Sequence, residues 1–392
     1  MVYLYKIEFD KFSQYEFSTA VSSAVFFLGL YMDIKEIKTE GYERVIRGCD
    51  EKSNFNSFIA IHTLKNGPAF GGIRYFNYRD NVRACLDVKK LAEAKTEKCA
   101  VAGIDLSGGK TAIQKTFYKD NKAFKLKQNN FYQCLGELIN YLKGDYYGGL
   151  DVGFDYSMLQ KLRKYTDFTT QYSNPDIGSL CTAFGVYNAL RAGVKFKLNK
   201  DSVKGLKISI KGIGKVGYQL ANYLLKNGAE VILADKNIDK IENVKSLQSE
   251  FPNQIKIIDH AILHKEDVDI YSPCALGNDI RLSRIKDLKC KIICGGANNQ
   301  LDITDPEEAE RQLITNNILY IPDTLANAGG VFRSAGIILN IRTEQESFES
   351  IKTVYDRTLN ILNTATEEKL SPADVCRQIG QQITGKPNNF KI

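Results

Sequence analysis

The sequence predicts an α/β protein of two domains, and three observations carry that prediction. At 392 residues the chain exceeds what one compact hydrophobic core ordinarily serves. From residue 56 onward, apolar runs of strand length alternate with segments of helical spacing. A glycine turn at residues 212–217 lies between one run of each kind, as at the junction where a parallel strand feeds a helix.

Taken in order, residues 1–31 read as an N-terminal extension. The stretch 17–32 is uncharged but shorter than the roughly 20 apolar residues of a membrane span. Glu8, Asp10 and Glu16 precede it, where a signal peptide begins basic. The expectation is therefore a cytoplasmic chain with no membrane partner. A mixed-sheet domain follows over residues 32–176, with FIAIHTL (58–64) as a strand and residues 82–95 as a helix. A second domain, residues 177–332, opens on the helical TAFGVYNALRAG. It continues through a strand, the glycine turn, an amphipathic helix stopped by Gly228, and a strand ending at Asp235. VDIYSPCA, CKIICGGA and ILYIPDTLA read as further parallel strands. Residues 333–392 are mainly helical in pattern.

Composition removes several function classes. The net charge of +7 is modest, and Lys interleaves with Asp and Glu, which describes a solvated surface rather than a nucleic-acid footprint. Nine cysteines without a disulfide framework, several in apolar runs, fit reduced buried thiols. Cys290 and Cys294 have no zinc-type spacing, and His62, His260 and His264 do not cluster with them, so no metal site is expected.

The glycine turn is GxGxxG. Gly212 permits the tight turn, Gly214 lets backbone approach a pyrophosphate, and Gly217 allows close helix–strand packing. Asp235, about 20 residues on at a strand end, suits the ribose hydroxyls of NAD and repels a 2′-phosphate. Lys236 beside it pulls weakly the other way. Before this domain, two segments join glycine-rich backbone to lysine: residues 67–76 (GPAFGGIRYF) and residues 94–113, which hold Lys98 and Lys110. Lys110 follows Ser107-Gly108-Gly109 and precedes apolar residues. That setting suits a lysine held in crowded backbone, where burial lowers its pKa toward neutrality.

GPAFGGIR, TEKCAVAGIDLSGGK, GLDVG, CTAFGVYNAL, GIGKVG, GGANNQL and PDTLANAGGV occur in that order. Through them the chain resembles the glutamate/leucine/phenylalanine/valine dehydrogenase family, the leucine dehydrogenases most, from about residue 32 to 358. The resemblance implies two α/β domains around a cleft: a mixed-sheet catalytic domain, a Rossmann NAD-binding domain, and C-terminal helices returning to the cleft. It implies NAD-dependent, reversible deamination of an L-amino acid to a 2-oxo acid, in a homo-oligomer. Hydride leaves Cα, water adds to the iminium, and ammonia departs with proton transfers. Lys98 would bind the substrate carboxylate, Lys110 would hydrogen-bond the attacking water, and Asp151 would be the general base. Thr182 would bind the nicotinamide amide, with Asn298 and Asn327 lining the cleft. Gly71 and Gly72 would let substrate lie against backbone.

Phe70 stands where glutamate-specific relatives carry a lysine, which points to a small apolar, branched-chain substrate. Thr358 and Ile361 fall at pocket-wall positions. Three departures surround the lysines: Ser107 for a glycine, Cys99 for an asparagine, and Lys95 for an apolar residue. Lys95 is expected to lay its stem along the apolar wall and turn its head to water. Because these changes cluster beside Lys98 and Lys110, two alternatives stay open. One is a degenerate, non-catalytic homologue. The other is a biosynthetic relative that couples two substrates through the same iminium chemistry.

Overall fold

The computed structural model describes residues 32–384 apart from 116–120, 172–174, 238, 240–241, 243 and 341. The expected N-terminal extension, residues 1–31, lies outside the described residues. Two six-stranded sheets organise the rest. The first runs, side by side, β1 (Asp33–Glu36), β2 (Arg44–Asp50), β3 (Phe55–Ile61), β5 (Ser107–Gln114), β4 (Ala69–Phe76) and β6 (Tyr146–Gly149). It is antiparallel from β1 to β5, while β4 runs parallel to both β5 and β6. β5 and most of β4 are buried, which explains their continuous small and apolar sequences. β3 begins three residues before the apolar run, because Phe55, Asn56 and Ser57 pair with the end of β2. The polar residues there hide the strand from an apolar pattern.

Helix α1 (Asn81–Ala102) packs on β5. Asp80 caps it by accepting from the Arg83 N–H, and Gly103 ends it in the left-handed region at φ 69°. Ala84, Val88, Ala92 and Thr96 recur every fourth residue and form its buried stripe. The helix outlasts the predicted 82–95 by a full seven-residue segment, TEKCAVA, which puts Lys98 on the same helix as Lys95. On the opposite face, α2 (Asn121–Asn140) and α3 (Tyr156–Leu162) supply Tyr132, Leu135, Leu138, Ile139 and Leu159 to a core shared with Ile46, Ile59 and Ile73.

The second sheet is wholly parallel. Its order is β9 (Ile255–Ile257), β8 (Glu230–Ala234), β7 (Lys207–Lys211), β10 (Ile270–Pro273), β11 (Ile292–Ile293) and β12 (Leu319–Tyr320). Chain order reverses direction between β7 and β10, so a crevice opens beyond the carboxyl ends of those strands. Helix α4 (Ile177–Leu198) precedes the sheet, starting before the predicted Thr182, and α5 (Lys215–Lys226) follows β7. The last helices tie the two sheets together. Arg357, on the helix Thr353–Glu367, donates to the Val101 and Ala100 carbonyls of α1 at 2.7 and 3.2 Å. The helix Pro372–Thr384 lies against α1, while Arg377 grips the Glu310 carboxylate through two bonds of 3.0 Å.

Candidate functional site

Strand register builds the catalytic side. Gly72 of β4 pairs with Gly149 of β6, so Arg74, two residues on and on the same face, stands opposite Asp151. Lys110 enters from β5. Its Nζ lies 2.7 Å from Asp151 Oδ2, and Arg74 Nε lies 2.9 Å from the same oxygen. A side chain at Gly72 could not coexist with this arrangement: its Cβ would lie 2.7 Å from Asp151 Cβ and 3.2 Å from Lys110 Nζ. At Gly71 the demand is different from the one expected. A Cβ there would strike the Gly109 carbonyl oxygen at 1.6 Å, so the contact between β4 and β5 by itself requires glycine.

Lys110 is 8% exposed. Burial lowers its pKa to about 8, and the neighbouring Asp151 carboxylate opposes that drop. Burial alone would push Asp151 up, but Lys110 and Arg74 outweigh it and hold the carboxyl below its ordinary range. Ser107 is fully buried, and its added hydroxyl accepts from the Asn66 N–H at 3.4 Å.

α1 brings two more ammonium groups. Burial first, and then the proximity of Lys95, lower Lys98 to about 8, while Asp323 opposes them. Asp323 is anchored by the Asn299 N–H at 2.9 Å and the Tyr320 hydroxyl at 3.1 Å, and burial raises its pKa. Lys95 contradicts the expected turn to water. Its Nζ sits 4.5 Å from the centroid of the Phe70 ring, a cation–π contact, and burial lowers its pKa. The ring offers a half-buried ammonium a favourable electrostatic surface, so the head stays beside the wall that the stem lines. Cys99 is buried, and burial raises its thiol to about 11 despite both lysines, which makes it an inert packing residue. Thr358 is buried and donates to the Val354 carbonyl at 2.7 Å, so its hydroxyl is turned into its own helix. Ile361 shares an apolar cluster with Phe70.

The second sheet supplies a cradle of backbone. Gly212 follows β7 at φ 99°, where a Cβ would meet Ala275 at 2.7 Å. A Cβ on Gly217 would strike the Gly212 carbonyl oxygen at 2.0 Å, whereas one on Gly214 would meet nothing within 4 Å. The open side of the turn is thus the approach a pyrophosphate needs, at the amino end of α5. Asp235 follows β8, and its Oδ2 accepts from the Ile213 N–H at 2.7 Å. Asn327 donates to Asn298 Oδ1 at 2.8 Å, and its own Oδ1 is buried with no hydrogen-bond partner among the described residues, an acceptor suited to an amide N–H. The Thr182 hydroxyl bonds the Gly178 carbonyl at 2.8 Å on α4. These residues fit a dinucleotide. A cavity of about 520 Å³ is lined by Asp151, Phe154 and Tyr156 and, from the helix after the glycine turn, by Lys215.

The sequence reading missed Arg74 and Asp323, although both lie inside motifs it singled out. Among the described residues no group of His, Cys, Asp and Glu is placed to hold a metal, and no helix is long and apolar enough to cross a membrane.

The profile of the glutamate/leucine/phenylalanine/valine dehydrogenase family matches residues 177–371, and that of the Glu/Leu/Phe/Val dehydrogenase dimerisation domain matches residues 39–153. Valine dehydrogenase of Streptomyces virginiae is 32% identical over 87% of this chain and 93% of its own. Leucine dehydrogenase of Thermoactinomyces intermedius is 33% identical over 83% and 86%. Phenylalanine dehydrogenase of Lysinibacillus sphaericus is 32% identical over 89% and 90%. Among solved structures, L-tryptophan dehydrogenase from Nostoc punctiforme superposes with a TM-score of 0.74 at 27% identity, covering 88% of this chain and 96% of that one.

Proposed function

The chain belongs to the glutamate/leucine/phenylalanine/valine dehydrogenase family and is an amino acid dehydrogenase, and within it we propose NAD-dependent, reversible oxidative deamination of a small apolar, branched-chain L-amino acid. Near-equal identity to valine, leucine and phenylalanine dehydrogenases does not choose the substrate. The observation that carries the reading is the buried Lys110–Asp151 pair, whose Asp151 lines the same cavity as Lys215 of the helix that follows the glycine turn. Burial brings the Lys110 ammonium down to about 8 while its two cationic neighbours keep Asp151 ionised, which places a donor near neutrality beside a standing carboxylate, as acid–base catalysis requires. In this reading Lys98 pairs with the substrate carboxylate, Lys110 holds the attacking water, and Asp151 exchanges protons with water and the departing ammonia. NAD, when bound, accepts the hydride from Cα. Gly212, Gly214, Gly217, Asp235, Thr182 and Asn298 would hold it, with Asp235 favouring NAD over NADP. Phe70 supports an apolar side chain. The nine free thiols support a reducing compartment, the cytoplasm. The match to a dimerisation domain and the exposed Phe76, Val82 and Leu86 support a homo-oligomer.

A second reading has one observation in its favour. Lys95 places an ammonium over Phe70, and among the described residues no carboxylate lies within ion-pair distance of it. A substrate with a side-chain carboxylate would supply that partner. NADH formation across a panel of L-amino acids, by wild type and Lys95→Met, separates the two. The apolar reading expects valine, isoleucine or leucine to lead in both. A wild-type preference for aspartate or glutamate that disappears in Lys95→Met would transfer the assignment to acidic substrates.

A further inference from the structure

We propose that Arg74 is a positioning residue for the base Asp151, held in turn by Asp87 and Tyr78, and that it fixes which carboxylate oxygen is free to exchange a proton. The inference rests on the reading of Asp151 as the base and adds a residue to which that reading gives no role.

The geometry is a chain of directed contacts. Arg74 Nε donates to Asp151 Oδ2 at 2.9 Å, and Arg74 NH1 lies 3.1 Å from Asp87 Oδ2. The Tyr78 hydroxyl, on a buried residue, donates to that same Asp87 oxygen at 2.7 Å. The guanidinium is planar, so anchoring one end on Asp87 sets the plane at the other end. Asp87 lies on α1, two turns before Lys95, so the helix that carries the substrate-side lysines also sets Arg74. Both cations contact Oδ2, and among the described residues no hydrogen bond reaches Oδ1. Oδ1 is therefore the proton-exchanging atom.

Lys110 cannot do this alone. Burial brings its pKa to about 8, so its charge is lost a little above neutrality. Arg74 stays protonated throughout, because its two carboxylates more than offset its burial. With Arg74 present, Asp151 keeps a permanent counter-charge whichever form Lys110 takes. Without it, ionisation of the base depends on the protonation of its neighbour.

The test is the pH profile of kcat/KM for Arg74→Gln, Arg74→Lys and Asp87→Asn, together with direct titration of the Asp151 carboxyl. The titration uses infrared difference spectra of each protein against the same protein carrying Asp151→Asn. Arg74→Gln is expected to move the acid limb and the carboxyl midpoint upward by about one unit. It should lower kcat at least tenfold, with KM for NAD unchanged. Asp87→Asn should give a smaller shift of the same sign, and Arg74→Lys should restore part of both. An unmoved acid limb and midpoint in Arg74→Gln, with activity lost or kept, would overturn the proposal. If Arg74→Gln fails to fold, an unshifted Asp87→Asn does the same. The infrared titration needs no turnover, so a wild type inactive on every amino acid would end the functional reading while leaving this result in hand.

Discussion

The two sheets bring different materials to the candidate site. From β4, β5 and the turn after β6, the first sheet presents ionised side chains: Arg74, Lys110 and Asp151, with Lys95 and Lys98 arriving on α1. From the end of β7, the second presents a bare glycine turn, backbone N–H groups and one carboxylate, Asp235. The difference follows from what each side must do. A pyrophosphate is held by peptide dipoles at a helix end, which keep no titratable proton and need only the absence of side chains. Proton transfer needs groups whose ionisation differs from solution behaviour, and burial among neighbours provides it.

Three substitutions, read through four effects, probe that contrast in falling order. Asp151→Asn should lower kcat a hundredfold or more, on the order of 3 kcal/mol, with circular dichroism and Tm close to wild type. A near-normal kcat would remove Asp151 from the role of base. Lys98→Met removes a charge that pairs with substrate in ground and transition states alike. KM for the amino acid should rise roughly tenfold to a hundredfold with kcat little changed. A kcat loss at normal KM would place Lys98 in the chemistry instead.

Asp235→Asn sharpens the other side. It keeps an oxygen for the Ile213 N–H while removing the charge, so NADP should gain roughly tenfold relative to NAD. Equal wild-type use of both cofactors would show that Lys236 overrides Asp235. The smallest effect is on stability. Folding lowers the Lys98 pKa to about 8 from roughly 10.4 in the unfolded chain, so the unfolded state binds more protons between those values. Wild-type stability therefore rises across that window, and the cost of the buried charge is complete only below about pH 8. Lys98→Met should raise Tm by about 2–4 °C at pH 7, an advantage that shrinks toward pH 10. A gap independent of pH would mean that the gain comes from packing alone.

The same contrast explains what could be read in advance. Gly212, Gly214, Gly217 and Asp235 were legible because their relation is local: a strand, a turn, a helix and the next strand in sequence. Lys98, Lys110 and Asp151 were legible through motifs shared with a family. Arg74 was visible as a letter in GGIR, but its partner is set by the β4–β6 pairing of Gly72 with Gly149, which no local pattern encodes. Asp323 comes to Lys98 from the far end of the second sheet for the same reason. The position of the Lys95 head depended on a ring in another strand, so stem length alone favoured water and gave the wrong answer. The resemblance gave Gly71 a place beside substrate, but its tight approach to Gly109 on the neighbouring strand could not be read from the motif.

The most direct measurement of the central claim is steady-state NADH formation by Lys110→Ala with the amino acid that wild type uses best, at saturating NAD and matched pH. The account predicts at least a hundredfold loss in kcat, about 3 kcal/mol, in a protein whose Tm and NAD affinity stay near wild type. Retention of near-normal kcat by that folded variant would contradict the claim that the buried Lys110–Asp151 pair performs the chemistry.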